Sequence, residues 1–364
     1  YPSFKARMEL VRLGYLRDYV KEQAIYDEQI SKVDVGKFVA PHTTFVAALW
    51  AVLTRMMRPD PDQYPGALRD VVAKLTPLQK AELYAEGAVP DGLSQELTRE
   101  LRHHVRDLMD EGAGTVHYEG RYGASPREMK MLLLNAAQNN AYPCLSPLAV
   151  LDELEEMVRE SSVFTFLQVK ADGEFFRHDQ FIETVRERYL DLLDDELQDA
   201  MGLVDDQQYE DLFARYIDHV SQSLKSEKVY NQVTGNYEDP DEKFMEELEG
   251  QMGAGEDHEA FRQSLISSIA AAYLDDPEAP LDYRRTFPAL FSSLKRSFFE
   301  DRQKAIRKTQ EHLLVYFEGE KKQLSPQDLE LVEVSLKGLI ERFGHNHESA
   351  REAVAFLVAN RYKE

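Results

Sequence analysis

Cysteine is almost absent from this chain: among 364 residues there is one, Cys144. A single thiol excludes an internal disulfide framework and any cysteine-rich zinc module. Long apolar runs are also missing, since residues 45–53 form less than half of the ~20-residue stretch that a transmembrane helix needs. No signal peptide is visible. From these absences we expect a cytoplasmic protein without a membrane partner.

Basic residues are few relative to acidic ones. The chain has 43 Lys and Arg against 66 Asp and Glu, which gives a formal net charge of −23. So negative a surface repels phosphate backbones, and we therefore expect no nucleic-acid partner. Apolar residues make up 43% of the sequence, which excludes wholesale disorder. At about 100–200 residues per domain, the length predicts two or three domains.

Motifs for self-contained catalysis are missing too. The sequence contains no G-x-x-x-x-G-K-[ST] phosphate loop, no protein-kinase signature, and no G-x-S-x-G or H-E-x-x-H pattern. His345, His347 and Glu348 offer metal-binding groups, but no further ligand has a suitable spacing. We interpret them as part of a loop between helices and predict no metal site. Cys144 is interpreted as a buried small residue rather than a reactive thiol.

Most of the sequence has helical periodicity, with apolar residues recurring three and four positions apart, for example over residues 182–197. Thr76-Pro-Leu-Gln79 and Ser125-Pro-Arg-Glu128 each place a hydroxyl at the N-cap, proline next, and Gln or Glu at the third helical position. This spacing predicts two helix starts with capping boxes. Gly344 predicts a helix end in the left-handed conformation.

Two segments have β character. Polar and apolar residues alternate over residues 8–13, which predicts one short N-terminal strand. Asp172-Gly173 lies between two β-prone runs and is compatible with a small β-hairpin near 164–176. The predicted fold is therefore mainly α, with multi-helix domains. Natural breaks near 140 and 225 divide the chain into three parts, residues 1–140, 141–225 and 226–364.

Charge is segregated along the chain. Residues 191–211 carry nine acids and no lysine or arginine, and in residues 238–259 Lys243 is the only lysine or arginine. Residues 295–308 reverse the sign, with six basic residues against two acids. Each run is typical of a solvated helix face. The alternative is that a basic helix docks on an acidic face, within the chain or on a partner.

Three stretches carry a more specific signal. Residues 40–55 contain the pattern A-P-H-T-x-x-V-A-A-x-x-x-x-L-T-R, residues 234–245 contain T-G followed by P-D-E-K, and Ala260-Phe-Arg262 opens the last helical region. These stretches resemble the bacterial PrkA-type serine protein kinases, which pair an N-terminal AAA+ ATPase module with a helical C-terminal domain. The resemblance covers essentially the whole chain.

The resemblance implies that this chain, which begins with Tyr-Pro, is a C-terminal fragment of such a kinase. The end of the AAA+ core and the helical lid would occupy residues 1–140, a helical linker module residues 141–225, and the PrkA C-terminal domain residues 226–364. The phosphate loop would lie upstream, so the fragment is expected to be inactive alone and to hold no cofactor tightly. The full-length parent is expected to use ATP and Mg²⁺.

Two arginines have roles that the resemblance implies. Phe4-Lys-Ala-Arg7 resembles the F-x-x-R that closes the AAA+ core, whose arginine reaches the γ-phosphate bound by the neighbouring subunit. Arg7 is therefore the candidate catalytic residue, and the alternative is a salt-bridged surface arginine. Gly123-Ala-Ser-Pro-Arg127 resembles the AAA+ lid motif, which makes Arg127 the candidate cofactor-binding residue.

Arg127 also has an argument of its own. A cation at the second position of a helix opposes the helix dipole, whereas the free amides at that end attract anions. Arg127 is therefore well placed to hold a phosphate oxygen. The alternative is that Glu119 or Glu128 neutralises its charge.

Two functions follow from this interpretation. The first is the lid and C-terminal regulatory region of an ATP-dependent serine/threonine protein kinase. Its partners would be the upstream AAA+ core of the same chain, protein substrates and further copies in a homo-oligomer. The kinase activity rests on the resemblance alone, because nothing in this sequence positions a hydroxyl nucleophile. The second is a non-catalytic helical interaction module that couples an AAA+ ATPase motor to its protein substrates.

Overall fold

The computed structural model describes residues 13–113, 115–202, 206–231, 235–254, 257–275 and 283–361. These residues are mainly helical, as predicted. The chain divides into two compact units. The first comprises the chain up to Asp195 together with Leu339–Asn360, and the second comprises Glu196–Gly338 and the residues from Arg361 onwards. The three-part division stays a prediction, and the strand expected over residues 8–13 lies outside the described residues.

The first unit is built on an apolar helix. α1 (Tyr19–Ser31) packs on α2 (Thr43–Leu53), and every side chain of α2 from Val46 to Leu53 is buried. A helix that is apolar on all sides belongs in a core. The later helices of this part of the chain are α3 (Leu68–Ala73), α4 (Pro77–Glu86), α5 (Gln95–His103), α6 (Val105–Asp110), α7 (Pro126–Gln138), α8 (Pro147–Arg159) and α9 (His178–Ala200).

Hydrogen bonds to a distant segment hold the start of α2. The amide of Ala40 donates to the Leu145 carbonyl, and the amide of Leu145 donates to the Phe38 carbonyl, both at 2.9 Å. The Thr43 hydroxyl donates to the Ala40 carbonyl at 2.7 Å. His42 takes the left-handed conformation, with φ of 62°. The Ala40-Pro-His-Thr segment therefore has a structural role at the beginning of the core helix.

Residues 164–176 do not form the small hairpin that their composition allowed. Thr165–Gln168 is a 3₁₀ helix, and a single antiparallel bridge joins Asp172 to Phe175. Phe166 and Phe175 are both buried, and Phe166 lies edge-on to the tryptophan of α2. The aromatic residues that favoured a strand instead fill the core, so the segment folds around their burial rather than by strand pairing.

The second unit contains an aromatic core. After α10 (Asp206–Lys225) come the antiparallel strands β1 (Val229–Asn231) and β2 (Asn236–Glu238), then α11 (Glu242–Met252), α12 (His258–Asp275), α13 (Tyr283–Thr286) and α14 (Pro288–Phe317). Side chains from these helices form one buried cluster that includes Phe213, Tyr216, Val220, Met245, Leu248, Met252, Leu265, Phe287, Phe291 and Leu294. This core ties α10, α11, α12 and α14 together.

The basic run 295–308 falls within α14. Its last residue, Lys308, pairs with Asp328 of α15 (Pro326–Glu341) at 2.9 Å on the surface. Asp328 belongs to neither acidic run. The side chains at 295–305 lie outside the described part of the chain, so docking of this segment on an acidic face stays a prediction.

The chain returns to the first unit at Leu339, shortly before Gly344. This glycine has φ of 75°, which confirms the predicted left-handed helix end. α16 (His347–Arg361) follows, and its Phe356 stacks on Tyr189 with ring centroids 5.9 Å apart. Among the helices that the structure describes, none combines the length and apolar character required to cross a membrane.

Candidate functional site

Arg127 lies exposed at the second position of α7. The Ser125 hydroxyl accepts the amide of Glu128 at 3.3 Å, and the Glu128 carboxylate accepts the amide of Ser125 at 2.7 Å, which confirms the predicted capping box. Pro126 has no N–H. Of the first three helical amides, that of Arg127 alone is therefore left to meet an anion. The guanidinium of Arg127 is still suited to bind a phosphate group. The helix end, however, offers fewer free amide groups to an anion than the sequence led us to expect.

Glu119 and Glu128, the two possible acidic partners of Arg127, do not form an ion pair with it. Glu128 is used by the capping box, and Glu119 is buried, where its carboxylate accepts Lys80 Nζ at 2.6 Å and the Tyr84 hydroxyl at 3.0 Å. Burial, together with the charge of Glu119, raises the pKa of Tyr84, so its hydroxyl stays protonated and donates. Within the part of the chain that the structure describes, Arg127 has no ion pair.

A buried arginine holds the loop that precedes α7. Arg55 is fully buried, and its Nε and Nη2 donate to the Ala124 carbonyl at 3.0 and 2.6 Å. Nη1 donates to the Leu16 carbonyl at 2.8 Å, and Nη2 also donates to the Glu22 carboxylate at 2.7 Å. The Tyr26 hydroxyl completes the cluster by donating to Glu22 at 2.6 Å. The start of α7 thus depends on one buried charge that is paired with Glu22 and donates to two backbone carbonyls.

Gly123 allows this loop to approach Arg55. Its φ of 122° is strained for any residue with a side chain, and a Cβ there would lie 2.5 Å from Arg55 Cγ and 2.9 Å from Thr54 Oγ1. The Thr54 hydroxyl accepts the amide of Ala124 at 2.9 Å. Each residue from Gly123 to Ser125 therefore has a packing or hydrogen-bonding task that positions the exposed guanidinium of Arg127.

Residues 78–356 match the family model described as PrkA serine protein kinase C-terminal domain. The chain belongs to the PrkA family. It is also 24% identical over 357 residues to a Bacillus subtilis (strain 168) protein named ATP-dependent protease PrkA. That match covers 98% of this chain and 50% of the relative, so the chain spans about half the length of the curated relative it matches. No solved structure matches it.

The structure of this PrkA-family chain places one of the two predicted site residues. Arg127 is where the motif predicted it, at the beginning of α7, whereas Arg7 lies outside the described residues. The supporting groups, above all Arg55 and its partner Glu22, were not predicted from the sequence. A signal was present, since Thr54-Arg55 directly follows an unbroken apolar helix. A charge in that position must be paired within the core.

The thiol and histidines of the PrkA chain have structural surroundings. Cys144 is buried, and burial raises the pKa of its thiol, which confirms a small core residue rather than a reactive nucleophile. His345 is buried as well, with Nδ1 3.0 Å from the Ser349 hydroxyl. In the described ranges, no three His, Cys, Asp or Glu side chains are arranged to hold a metal ion.

A shallow cleft in the first unit contains a histidine and a carboxylate. His104 Nδ1 lies 2.6 Å from Asp107 Oδ2, and the Tyr64 hydroxyl donates to Glu111 at 2.6 Å. Burial raises the pKa of Glu111. The described residues that line the cleft include no serine, threonine or cysteine whose hydroxyl or thiol the His104–Asp107 pair could activate.

Proposed function

We propose that this chain is the nucleotide-responsive lid and C-terminal regulatory region of an ATP-dependent enzyme that acts on proteins, with protein serine/threonine kinase as the activity of the whole molecule. The observation that carries the proposal is that Arg127 is exposed, with no ion pair among the described residues, while the fully buried Arg55 fixes the loop before it. A surface arginine without a function would not require a buried arginine to fix the loop that precedes it.

In this proposal, ATP and Mg²⁺ bind to an upstream core of the same chain, and ATP supplies the phosphoryl group. Arg127 contacts a phosphate oxygen, where its positive charge offsets negative charge that shifts during transfer. Arg7 performs the same task at the nucleotide of a neighbouring copy in a homo-oligomer. The remaining helices carry no chemical step and connect this lid to regulators and substrates in the cytoplasm.

The description of the family and the name of the relative point to different chemistry. The family description favours a kinase, whereas the relative from Bacillus subtilis is named a protease. A protease is therefore the second candidate for the whole molecule, and in that case its nucleophile would also lie upstream. The non-catalytic coupling of an ATPase motor to its substrates is the third. Under all three, the lid arginine senses the same nucleotide.

Nucleotide binding by the full-length parent tests the role of Arg127. We expect Arg127→Ala to weaken ATP binding by about tenfold or more, because a hydrogen bond to a charged group contributes roughly 1.5–3 kcal/mol. Arg99→Ala is the matched control, since Arg99 is also an exposed helical arginine of the first unit. Equal ATP affinity of the Arg127→Ala variant and the unmodified protein would refute the proposal.

The products of ATP turnover then separate the three activities. The parent is incubated with γ-labelled ATP and a protein substrate, and phosphoprotein, new peptide termini and free phosphate are measured together. Label on serine or threonine supports the kinase, and new termini support the protease. Free phosphate alone supports the motor and contradicts the kinase.

A further inference from the structure

The hairpin formed by β1 and β2 in the second unit presents two exposed aromatic rings that lie against each other. β1 and β2 pair in antiparallel register, with Tyr230 opposite Tyr237 and Val229 opposite Glu238. Because side chains alternate across a strand, the two tyrosines lie on one face and Val229 on the other. Val229 is buried, whereas Tyr230 and Tyr237 are 52% and 68% exposed. Their ring centroids are 5.3 Å apart, so the rings form one continuous outer face.

One edge of this sheet is also open. All three residues of β2 are exposed, and in the described part of the chain no third strand pairs with it. An exposed edge offers backbone N–H and C=O groups to another extended chain, which is a recurring mode of peptide binding. Tyrosine pairs are also common energetic centres of protein interfaces, because the rings are large, rigid and amphipathic.

The surroundings of the hairpin are strongly negative. Residues 226–247 contain seven acids against two lysines, and all seven acidic residues are exposed. Among them, Asp239 directly follows β2, and its pairing with Lys228 is loose, at 3.9 Å and on the surface. An occupant of this surface must therefore be positively charged, since an acidic segment would be repelled.

We infer that the outer face and open edge of the hairpin, centred on Tyr230 and Tyr237, are a docking surface for an extended, basic segment of a partner protein. The segment pairs with the edge of β2. Its arginine or lysine side chains lie over the tyrosine rings, within the ~6 Å range of cation–π contacts, while the acidic residues around the hairpin attract it. This surface lies in the second unit and does not depend on the nucleotide response proposed above.

Fluorescence anisotropy with a defined probe tests the inference on the whole chain, without ATP. The probe is a labelled peptide of about ten residues, the length of a long strand, in which arginine alternates with valine. Its counterpart has glutamate in place of arginine. The binding protein is compared with a Tyr230→Thr/Tyr237→Thr variant, which keeps β propensity, and with a Tyr230→Phe/Tyr237→Phe variant, which keeps both rings.

Dependence on the rings is the decisive result, because any basic peptide is attracted to a protein of charge −23. We expect the arginine peptide to bind, the glutamate peptide not to bind, and the threonine variant to bind about tenfold more weakly at about 0.15 M salt. The phenylalanine variant should retain binding within about threefold. Absence of binding, or equal binding by the threonine variant, would overturn the inference.

Discussion

The two units each bury an arginine, but they use it differently. In the first unit, Arg55 donates to the carbonyls of Ala124 and Leu16 and to the carboxylate of Glu22. In the second, Arg262 forms a two-pronged pair with Glu249, through Nε at 2.6 Å and Nη2 at 3.2 Å. The first arginine therefore holds backbone in place, whereas the second joins one side chain to another.

The difference follows from what surrounds each charge. Glu249 also accepts the Tyr216 hydroxyl at 3.0 Å and lies 2.6 Å from His258 Nδ1, so it connects α10, α11 and α12 as a structural junction. Arg55 instead positions a loop that ends in the exposed Arg127. The charge of Arg55 thus fixes the backbone before an exposed cation, which is why we propose a role for Arg127, whereas the charge of Arg262 is used in helix packing.

Removing the charge of Arg55 should have the largest effect. Arg55→Met leaves the Glu22 carboxylate buried without its ion-pair partner, with only the Tyr26 hydroxyl still donating to it, and we expect a loss of about 4 kcal/mol in unfolding free energy. Urea unfolding followed by the fluorescence of Trp50, the only tryptophan, measures this loss in the first unit. Arg55→Met combined with Glu22→Met should recover part of it. A loss below about 1 kcal/mol in the single variant would contradict a buried pair.

Removing Glu249, the structural junction of the second unit, should lower the free energy of unfolding slightly less than removing Arg55. Glu249→Ala leaves Arg262 without its main partner, but Arg262 still reaches Glu242 at 2.9 Å, and we expect a loss of about 3 kcal/mol. Hydrogen exchange of the α10, α11 and α12 amides measures it. Glu246→Ala, an exposed glutamate on the same helix, is the control and should change protection little. Equal protection in the two variants would argue against the junction.

Low pH should destabilise the first unit through His178. Burial lowers the pKa of His178 to about 4, so the folded state keeps the imidazole neutral while the unfolded state binds a proton below about 6.5. Stability contributed by this residue is therefore present above pH ~6.5 and falls as the pH drops towards 4, by up to about 3 kcal/mol.

His178→Phe isolates this contribution, because Phe166 and Phe181 already surround the ring and the variant cannot titrate. Carboxylates shared by both proteins cancel in the difference between their unfolding free energies, again followed by Trp50 fluorescence. That difference should change between pH 7 and pH 4 in favour of the variant. A difference independent of pH would mean that the imidazole is not buried in neutral form.

The smallest effect on stability is expected at Gly123. Gly123→Ala forces a strained φ and places its Cβ against Arg55, for which we expect a loss of about 2 kcal/mol in Trp50-monitored unfolding. Gly36→Ala is the control, because Gly36 also has a positive φ but nothing lies within 4 Å of its Cβ position. The control should lose about half as much. Equal losses would show that the approach to Arg55 is not tight.

Local sequence signals were sufficient to predict the helix starts and ends described above and the position of Arg127 on its helix. The capping boxes at Thr76 and Ser125, and the helix end at Gly344, depend on neighbours within a few residues, so the sequence predicts them directly. Near 164–176 the turn at Asp172-Gly173 closes a single bridge, Asp172–Phe175, and no longer strands form, because Phe166 and Phe175 bury their rings in the core. Propensity alone does not distinguish these two uses of an aromatic residue.

By itself, the sequence determined a mainly helical PrkA-family chain and the helix that is capped by Ser125 and has Arg127 at its second position. Tertiary structure alone decided which charges are buried. Arg55 and Ala124 are 69 residues apart, and Lys80 and Glu119 are 39 apart, so no local pattern links them. The physical reason is that a buried charge requires a partner at hydrogen-bonding distance, and only the folded chain brings such distant groups together.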